Sequence, residues 1–356
     1  VKMGDNQQNN QISGAITFPS GSQENVQPVS DQPRQPRNLQ GLLRFAMEAT
    51  KQEDAPSGSN FSPMDAERRI FLEDALQTLT IDMTQIIRDS LETLTNEEQM
   101  KRIQLGDSLP SEVQQAFDNL LELVDNIDIA NDFFRMGGYT IFPICLNSEN
   151  ERVRALACTI LGETCQNNPF CQSRALEAGL LPVLMTLVQS ERGEPLAKAI
   201  YALSCLCREY TPACSELTAR GGCELLALHL GAEHPAARTK AAFLIRHLCY
   251  HYPDAKEKFI DQNLVKTVAL QIKNGRDATT EHLFSILLAL LENRDLTVIQ
   301  QCTDPELGLL DILETHLEHP ELQDDTYSEE KEYCLALVHF ISSCPQVESV
   351  REEGDR

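Results

Sequence analysis

The sequence predicts an all-α fold, a right-handed superhelical solenoid of about four core repeats of about 42 residues, and three observations carry that prediction. Stretches of the chain superimpose at a spacing of 42 residues. The matching positions hold small and aliphatic side chains at helical spacing, and one further position holds residues that tolerate positive φ. No β-rich run separates the helical patterns. A period of about 40 to 47 residues with this composition is typical of armadillo and HEAT repeats.

Four columns of equivalent positions define the repeat. Three consecutive copies contribute Ala157, Ala199 and Ala241; Leu161, Leu203 and Ile245; Cys165, Cys207 and Cys249; and Gly179, Gly221 and Asn263. The first three columns follow one helix face, and the fourth marks the turn into the next helix. At an offset of 41 residues the columns continue into an earlier copy, at Ala116, Leu120, Val124 and Gly138.

Each repeat has room for three helices. In one copy a short helix is expected at about 212–220, a middle helix at about 222–231 and a long helix at about 236–251. Pro169, Pro212 and Pro253 each follow a long helix, where proline ends one helix and begins the next connection. Three helices per unit favour armadillo over HEAT repeats. Stacking such units places the long helices side by side on the inner, concave wall.

Four segments are expected along the chain. Residues 1–36 are rich in Gln, Asn, Ser, Gly and Pro and should be disordered, because they cannot bury enough apolar area. Residues 37–110 should contain helices and a linker that cap the solenoid, including a helix at about 83–105. The armadillo repeat domain is expected at 111–345, ending in a helical cap, and a flexible acidic tail at 346–356. Capped ends favour a monomer.

The composition excludes some classes of partner. The chain has 54 Asp and Glu against 30 Lys and Arg, so most of its surface should repel the phosphate backbone of nucleic acid. Its N-terminus lacks the apolar segment of a secretory signal, and no apolar run in the repeats is long enough to cross a bilayer. These features predict a cytoplasmic protein of the cytosol with no membrane partner.

The sequence gives no sign of catalytic or metal chemistry. All 12 cysteines lie between Cys145 and Cys344 without a C-x-x-C pair, and several fall on inward helix positions, as free core thiols do. His247, Cys249 and His251 resemble a set of metal ligands, but Cys249 belongs to a buried column. Nucleotide-binding, zinc-protease and serine-hydrolase motifs are absent. We therefore expect no enzyme activity, no metal and no cofactor.

The residues beside the buried leucine column should face the groove. They are Thr159 and Glu163, Tyr201 and Cys205, Phe243 and His247, and Ser285 and Ala289. Peptide-binding armadillo proteins typically carry tryptophan and asparagine here, and this chain has no tryptophan. An irregular mix of aromatic and charged groups suits a folded protein partner. Plain packing of Tyr201 and Phe243 is an open alternative, as is a solvated face for the equally spaced residues Lys198, Lys240 and His282.

Particular motifs resemble a known family. They include the runs 37–43, 198–209, 240–244 and 305–309. These segments are similar to those of the armadillo-type nucleotide-exchange factors of the heat-shock protein 70 (Hsp70) chaperone, in the cytosolic branch of that family. The resemblance extends from about residue 36 to about residue 341.

The resemblance implies a co-chaperone that performs no chemistry itself. Its concave armadillo surface would bind the nucleotide-binding domain of the Hsp70 chaperone and promote ADP release, and inhibition of refolding is left open. Resemblance and repeat geometry together give these candidate partner-binding residues: Glu163, Asn167, Lys198, Tyr201, Arg208, Lys240, Phe243, His247 and His282. The alternative is an armadillo scaffold or ubiquitin-pathway adaptor that leaves nucleotide unaffected, so ubiquitin-ligase co-chaperones stand as a second class of partner.

Overall fold

The computed structural model describes residues 83–344, which contain α-helices, short 3-10 turns and loops but no β-strand. These described residues belong to one compact unit, Asp82–Arg356. The all-α prediction is therefore confirmed for them. The expected disordered tract, the capping segment before residue 83 and the acidic tail lie outside the described residues.

Two helices precede the repeats, where the sequence predicted a single one. Helix α1 (Met83–Leu94) ends early, and only two residues separate it from α2 (Glu97–Lys101). The predicted helix at 83–105 is wrong because Asn96 acts as an N-cap, its side chain accepting a hydrogen bond of 3.2 Å from the backbone of Gln99. Helix α1 packs against α3 (Ser111–Leu121). It therefore covers the first helix of the solenoid, as a terminal cap must.

The repeats alternate short, middle and long helices. The short helices are α4 (Ile127–Arg135), α7 (Pro169–Glu177), α10 (Thr211–Ala219), α13 (Pro253–Asp261) and α16 (Leu296–Cys302). The middle helices are α5 (Ile141–Cys145), α8 (Leu180–Ser190), α11 (Gly222–Leu228), α14 (Leu264–Asn274) and α17 (Leu309–Leu317). The third set, here called the wall helices, comprises α3, α6 (Glu151–Cys165), α9 (Gly193–Cys207), α12 (Pro235–His251), α15 (Thr280–Leu291) and α18 (Ser328–Ser343).

The wall helices pack in chain order, each against the next. Their alanine column is fully buried at 157, 199 and 241, and so is the aliphatic column at 161, 203 and 245. Small residues let adjacent helices approach closely, and the larger ones fill the space between repeats. One continuous apolar core results, in which each repeat contacts its neighbours, as expected of an armadillo solenoid.

The turn column needs left-handed backbone, as predicted. Gly179, Gly221 and Asn263 have φ of 70°, 81° and 54°. In the first copy the residue at this position is Gly137, with φ of 86°, so the assignment of Gly138 is wrong by one residue. The first copy aligns with the next one at an offset of 41 residues in its helix and of 42 residues in its turn. The chain between helix and turn is therefore one residue shorter in the first copy than in later copies.

All twelve cysteines are unpaired, and eleven of them are buried. Desolvation raises the pKa of the Cys145 and Cys302 thiols to about 12. Thiols in this environment are poor nucleophiles and serve as small apolar side chains. The prediction of free core thiols is confirmed.

Candidate functional site

The nine candidate residues lie along the wall helices and the turns that follow them. Glu163 is on α6, Lys198 and Tyr201 are on α9, Lys240, Phe243 and His247 are on α12, and His282 is on α15; Asn167 and Arg208 follow α6 and α9. Because wall helices are neighbours, residues one repeat apart are brought close together. The structure assembles three clusters from them, around Tyr201, Phe243 and His247.

The Tyr201 cluster joins three consecutive wall helices. The Tyr201 hydroxyl lies 2.8 Å from a carboxylate oxygen of Glu163 and 3.0 Å from the side-chain oxygen of Gln166, both from the preceding repeat. On the other side the ammonium of Lys240, from the following repeat, lies 4.6 Å from the centroid of the tyrosine ring. The ring is thus held between a carboxylate and a cation, in a cation–π contact.

Glycine at position 162 makes room for that ring. A Cβ atom at Gly162 would come within 2.5 Å of the Cε1 atom of Tyr201, well inside van der Waals contact. The Tyr201 ring therefore lies directly against the backbone of α6. The absence of a side chain at position 162 therefore has a steric reason in this structure.

Burial shifts the proton equilibria of the Tyr201 cluster. Desolvation, followed by the proximity of Cys205 and hydrogen bonding to Glu163, raises the pKa of Tyr201 well above its ordinary value. Desolvation and then the nearby charge of Lys198 lower the pKa of Lys240. Like charges held close together in a half-buried site favour a partner that brings a carboxylate to them.

The Phe243 cluster repeats this arrangement one unit later. The guanidinium of Arg208, from the preceding repeat, lies 5.5 Å from the Phe243 ring centroid. His282, from the following repeat, meets the same ring edge to face at 6.0 Å, and desolvation lowers its pKa. Tyr201 and Phe243 are thus equivalent half-buried aromatic residues, each flanked from both neighbouring repeats.

The His247 cluster lies at the end of α12. The Nε2 atom of His247 is 3.4 Å from the backbone nitrogen of Glu209, a residue held at φ of 57°. The ring of His251 is 4.7 Å away, centroid to centroid. Desolvation, and then the charges of His251 and Arg208, lower the pKa of His247 to about 4. His247 is therefore uncharged near neutral pH and accepts the hydrogen bond from the backbone.

Three of the positions expected to face the groove do not. Cys205, Ser285 and Ala289 are buried, because the wall helices on either side cover them. Thr159 is half-buried and bonds back to the carbonyl of Ala155 in its own helix, at 2.9 Å. The pair Phe243 and His247 therefore contributes both members to the surface, whereas the pair Ser285 and Ala289 contributes neither.

Two candidates join no cluster through a direct bond. Asn167 is exposed, with φ of 51°. Lys198 is half-buried and forms no ion pair within residues 83–344. Both are available to a partner, but the structure does not hold either side chain in place.

Some residues of the surface escaped the sequence reasoning. Gln166 contacts Tyr201, Arg246 lies 5.9 Å from the Tyr250 ring, and the rings of His247 and Tyr252 are 5.7 Å apart. The repeat period offered a signal for the first of these, since Gln166 precedes Arg208 by 42 residues. The contacts of Arg246 and Tyr252 lie within one helical turn or at a helix end. At such positions the repeat spacing does not distinguish surface residues from core residues.

The surface is suited to binding. Aromatic rings held in place by charged and polar side chains are typical of energetically important interface residues. Across residues 83–344 no group of three or more His, Cys, Asp or Glu side chains is placed to hold a metal ion. Separately, within that same span, every helix is either too short or too polar to cross a membrane.

Two sequence models of one family match the chain. The SIL1/FES1/HPBP1 C-terminal domain matches residues 129–250, and the nucleotide exchange factor Fes1 model matches residues 39–133. Together they extend from the segment before the repeats to the end of α12, and the first of them includes every candidate residue except His282.

Curated relatives carry matching names. Hsp70-binding protein 1 of Mus musculus is 27% identical over 93% of both chains, and that of Homo sapiens is 27% identical over 89% of both. Hsp70 nucleotide exchange factor FES1 of Gibberella zeae is 34% identical, over 38% of this chain and 64% of its own.

Solved structures resemble the fold. A designed armadillo repeat protein aligns with a TM-score of 0.55 at 15% identity, covering 70% of this chain and 99% of its own. A further engineered protein aligns with a TM-score of 0.58 at 17% identity, covering 74% and 98%. At such identities the likeness establishes the armadillo architecture alone.

Proposed function

This chain belongs to the SIL1/FES1/HPBP1 family, and on that premise we propose that it is a nucleotide-exchange factor and co-chaperone of Hsp70. The relatives named above are called Hsp70-binding protein 1 and Hsp70 nucleotide exchange factor FES1. In the proposal the repeat domain, residues 111–345, binds the nucleotide-binding domain of Hsp70 through the concave side of the wall helices. Binding then promotes the release of ADP.

The observation that carries the proposal is the pair of equivalent clusters around Tyr201 and Phe243. Each presents a half-buried ring whose orientation is fixed by charged or polar side chains of both neighbouring repeats. Fixed aromatic residues lose little conformational entropy on binding, so they suit a large and folded partner. Lys198, Lys240 and Arg208 would pair with carboxylates of that partner.

Exchange requires no catalysis by this chain. A protein that binds the open form of a nucleotide site more tightly than the closed form weakens nucleotide binding by the same factor. A hundredfold weakening requires about 2.7 kcal/mol of differential binding. A few well-packed aromatic contacts made only with the open form are enough to supply it.

Release of a fluorescent ADP analogue from Hsp70 tests the proposal. We expect this protein to accelerate release into excess unlabelled nucleotide, with saturation at increasing protein concentration. A scaffold or ubiquitin-pathway adaptor would bind Hsp70 without changing the release rate. Unchanged release at saturating protein would therefore rule out the exchange function and favour that alternative.

A double variant locates the surface. Tyr201→Ala combined with Phe243→Ala should reduce the acceleration of ADP release about a hundredfold at subsaturating protein. Each truncated hot-spot residue should cost about 1 to 2 kcal/mol of binding free energy. Phe170→Ala is the matched control, because Phe170 is also half-buried beneath arginine side chains but lies on the short helix α7. If the control and the double variant changed ADP release equally, the wall helices would not form the interface.

The proposal also covers location and assembly. Twelve unpaired cysteines are what a reducing compartment produces, and together with resemblance to the cytosolic branch they support action in the cytosol. We propose a monomer that forms a one-to-one complex with Hsp70. Sedimentation of the protein alone and with the chaperone domain measures both stoichiometries.

A further inference from the structure

An ion pair closes the junction between consecutive repeats at two places in the solenoid. Arg154, near the start of α6, pairs with Glu191, which precedes α9. Arg238, near the start of α12, pairs with Asp277, which precedes α15. Each arginine also donates to two carbonyls of the loop before its own helix, at 2.6 and 2.9 Å for Arg154 and at 2.8 and 3.0 Å for Arg238.

The junction between these two lacks its arginine. Leu196 follows Arg154 by 42 residues and precedes Arg238 by 42, so it occupies the equivalent position at the start of α9. The acidic member of the pair is still present, because Glu233 follows Glu191 by 42 residues. Within residues 83–344 Glu233 forms no ion pair. The repeat thus retains an acidic group whose basic partner has been replaced by leucine.

A pocket of about 610 Å³ lies at this junction. The apolar side chains in its wall are those of Leu196, Leu225 and Leu228, with Glu233 on the polar side. Leu228 is 76% exposed, which is unusual for leucine and leaves apolar area uncovered. At the next junction the equivalent pocket, about 400 Å³, contains the Arg238 and Asp277 pair instead.

Other groups at the pocket leave the carboxylate free. Arg192 donates to the carbonyl of Glu191 at 2.7 Å and to that of Ser190 at 3.4 Å, so it replaces the carbonyl contacts of the missing arginine but does not reach Glu233. His229 also lines the pocket, and its covered Nε2 atom has no hydrogen-bond partner. Burial lowers the pKa of His229, and the neutral ring does not repel a cation.

We propose that this pocket binds an arginine side chain of a partner protein, presented by a segment with aliphatic neighbours. The guanidinium pairs with Glu233, as Arg154 pairs with Glu191, and the stem of the arginine lies against Leu196 and Leu225. The neighbouring aliphatic side chains cover Leu228. A guanidinium fits better than an ammonium because it can donate in parallel to both carboxylate oxygens. A net charge of −24 disfavours an anionic occupant.

This site is distinct from the Phe243 cluster, although Leu196 lies two residues from Lys198 on α9. Leu196 and Arg208 are twelve residues apart along and just beyond α9, which corresponds to about 18 Å of helix. The pocket therefore lies at the opposite end of α9 from Arg208 of the Phe243 cluster. Its partner contact neither requires the exchange function nor follows from it.

Methyl NMR of the full chain with leucine labelling tests the proposal. The probe is the blocked tripeptide acetyl-Leu-Arg-Leu-amide, with citrulline or lysine replacing arginine in two control peptides. We expect saturable shifts of the Leu196, Leu225 and Leu228 methyl groups with the arginine peptide. The citrulline peptide, which has the same shape without the charge, should bind at least about tenfold more weakly, and the lysine peptide should also bind more weakly.

Variants of the chain connect the effect to the carboxylate. Glu233→Gln should weaken binding of the arginine peptide about tenfold, whereas Glu224→Gln, at an exposed acid on the middle helix α11, should not. Leu196→Arg places an arginine opposite Glu233 within the chain and should abolish binding. Circular dichroism checks that each variant is folded. ADP release from Hsp70 should be unchanged in Glu233→Gln.

Several results would overturn the proposal. Equal affinity for the arginine and citrulline peptides would show a purely apolar pocket. Phosphate that shifts the same methyl groups and competes with the peptide would show an anion site. Shifts that appear without peptide as protein concentration rises would show contact between two copies of the chain, and no shift with any peptide would leave the pocket without a ligand of this class.

Discussion

The ring of Tyr201 lies so close to the backbone of Gly162 that a single methyl group at the glycine would come within 2.5 Å of it. The two residues belong to adjacent wall helices, and the contact places the tyrosine hydroxyl beside Glu163. A glycine in one repeat therefore determines where a tyrosine ring of the next repeat can lie. A substitution at Gly162 therefore has two opposing effects on stability, a gain in helix propensity and a steric cost against the ring, and the two can be measured separately.

Gly162→Ala should destabilise the protein only while Tyr201 is present. Alanine favours the helix over glycine by about 1 kcal/mol, but displacing the ring should cost about 1 to 3 kcal/mol. In a Tyr201→Ala background the clash is absent, so the same substitution should raise the free energy of unfolding by up to about 1 kcal/mol. Urea unfolding of the four proteins gives both values. A substitution effect of the same sign in both backgrounds would contradict the steric account.

Acidification should destabilise the folded state through His247. Its pKa is about 4 when folded, against an ordinary value of 6.5, so the unfolded chain binds a proton first as pH falls. The stability contributed by neutral His247 is complete above about pH 6.5 and is lost as pH falls from there towards 4. His247→Gln should flatten this part of the pH dependence of unfolding.

The matched control for that measurement is His339→Gln, at an exposed histidine on α18. It tests whether the loss of any exposed imidazole, and not only of His247, alters the pH dependence of the free energy of unfolding. Urea unfolding at intervals between pH 7 and pH 4 compares the three proteins. A slope for His247→Gln as steep as that of the unaltered protein would assign the acid sensitivity to other groups.

A buried ionic group holds the last wall helix in place. Glu330 on α18 receives two hydrogen bonds of 2.9 Å from Arg276 and lies 2.8 Å from Nε2 of His316. Burial acts to raise the pKa of Glu330, but the bonds from His316 and Arg276 outweigh it and lower the pKa. Glu330→Ala would leave the buried Arg276 paired only with the exposed Glu321 and would remove the acceptor beside His316, so it should cost about 1 to 3 kcal/mol.

Its neighbour in sequence is the control for that substitution. Glu329 is exposed on the same helix turn, and Glu329→Ala should change the free energy of unfolding by less than about 0.5 kcal/mol. Urea unfolding followed by circular dichroism measures both. Similar losses in the two variants would show that helix propensity, and not the ionic group, accounts for the effect.

A thiol reagent should react quickly with one cysteine and slowly with the other eleven. Cys344 is half-buried and the other eleven are buried, with the pKa of several thiols raised to about 12 or higher by desolvation. A disulfide reagent at mildly alkaline pH should titrate one thiol quickly and the rest only as the protein unfolds. Cys344→Ser should remove the fast phase. A fast phase of several thiols would show that the core opens readily.

The repeat period made most of the fold predictable. Columns of alanine, leucine and cysteine fixed which face of each wall helix is buried, and the turn column fixed where left-handed backbone is needed. Errors arose where the period changes or a local cap competes with it. The register moves by one residue at Gly137, and Asn96 divides a helix that apolar spacing alone would continue.

The candidate surface was predictable only in part. Spacing selected Tyr201, Phe243 and the basic residues beside them, but it also selected Cys205, Ser285 and Ala289, which are buried. Exposure on a solenoid depends on how far the neighbouring helix overlaps each position. That overlap is a property of the packing between repeats, and no residue type encodes it alone.

The sequence by itself determined the all-α repeat, its period and the free thiols, because these follow from side-chain size and polarity at fixed intervals along one chain; particular motifs carried the resemblance to a family. Tertiary structure decided which charge meets which ring, since Lys240 lies over Tyr201 and His282 beside Phe243 only after helices of consecutive repeats have packed. It also revealed an acid without a base at Glu233, because an ion pair between repeats exists only where two helices fix both side chains at contact distance.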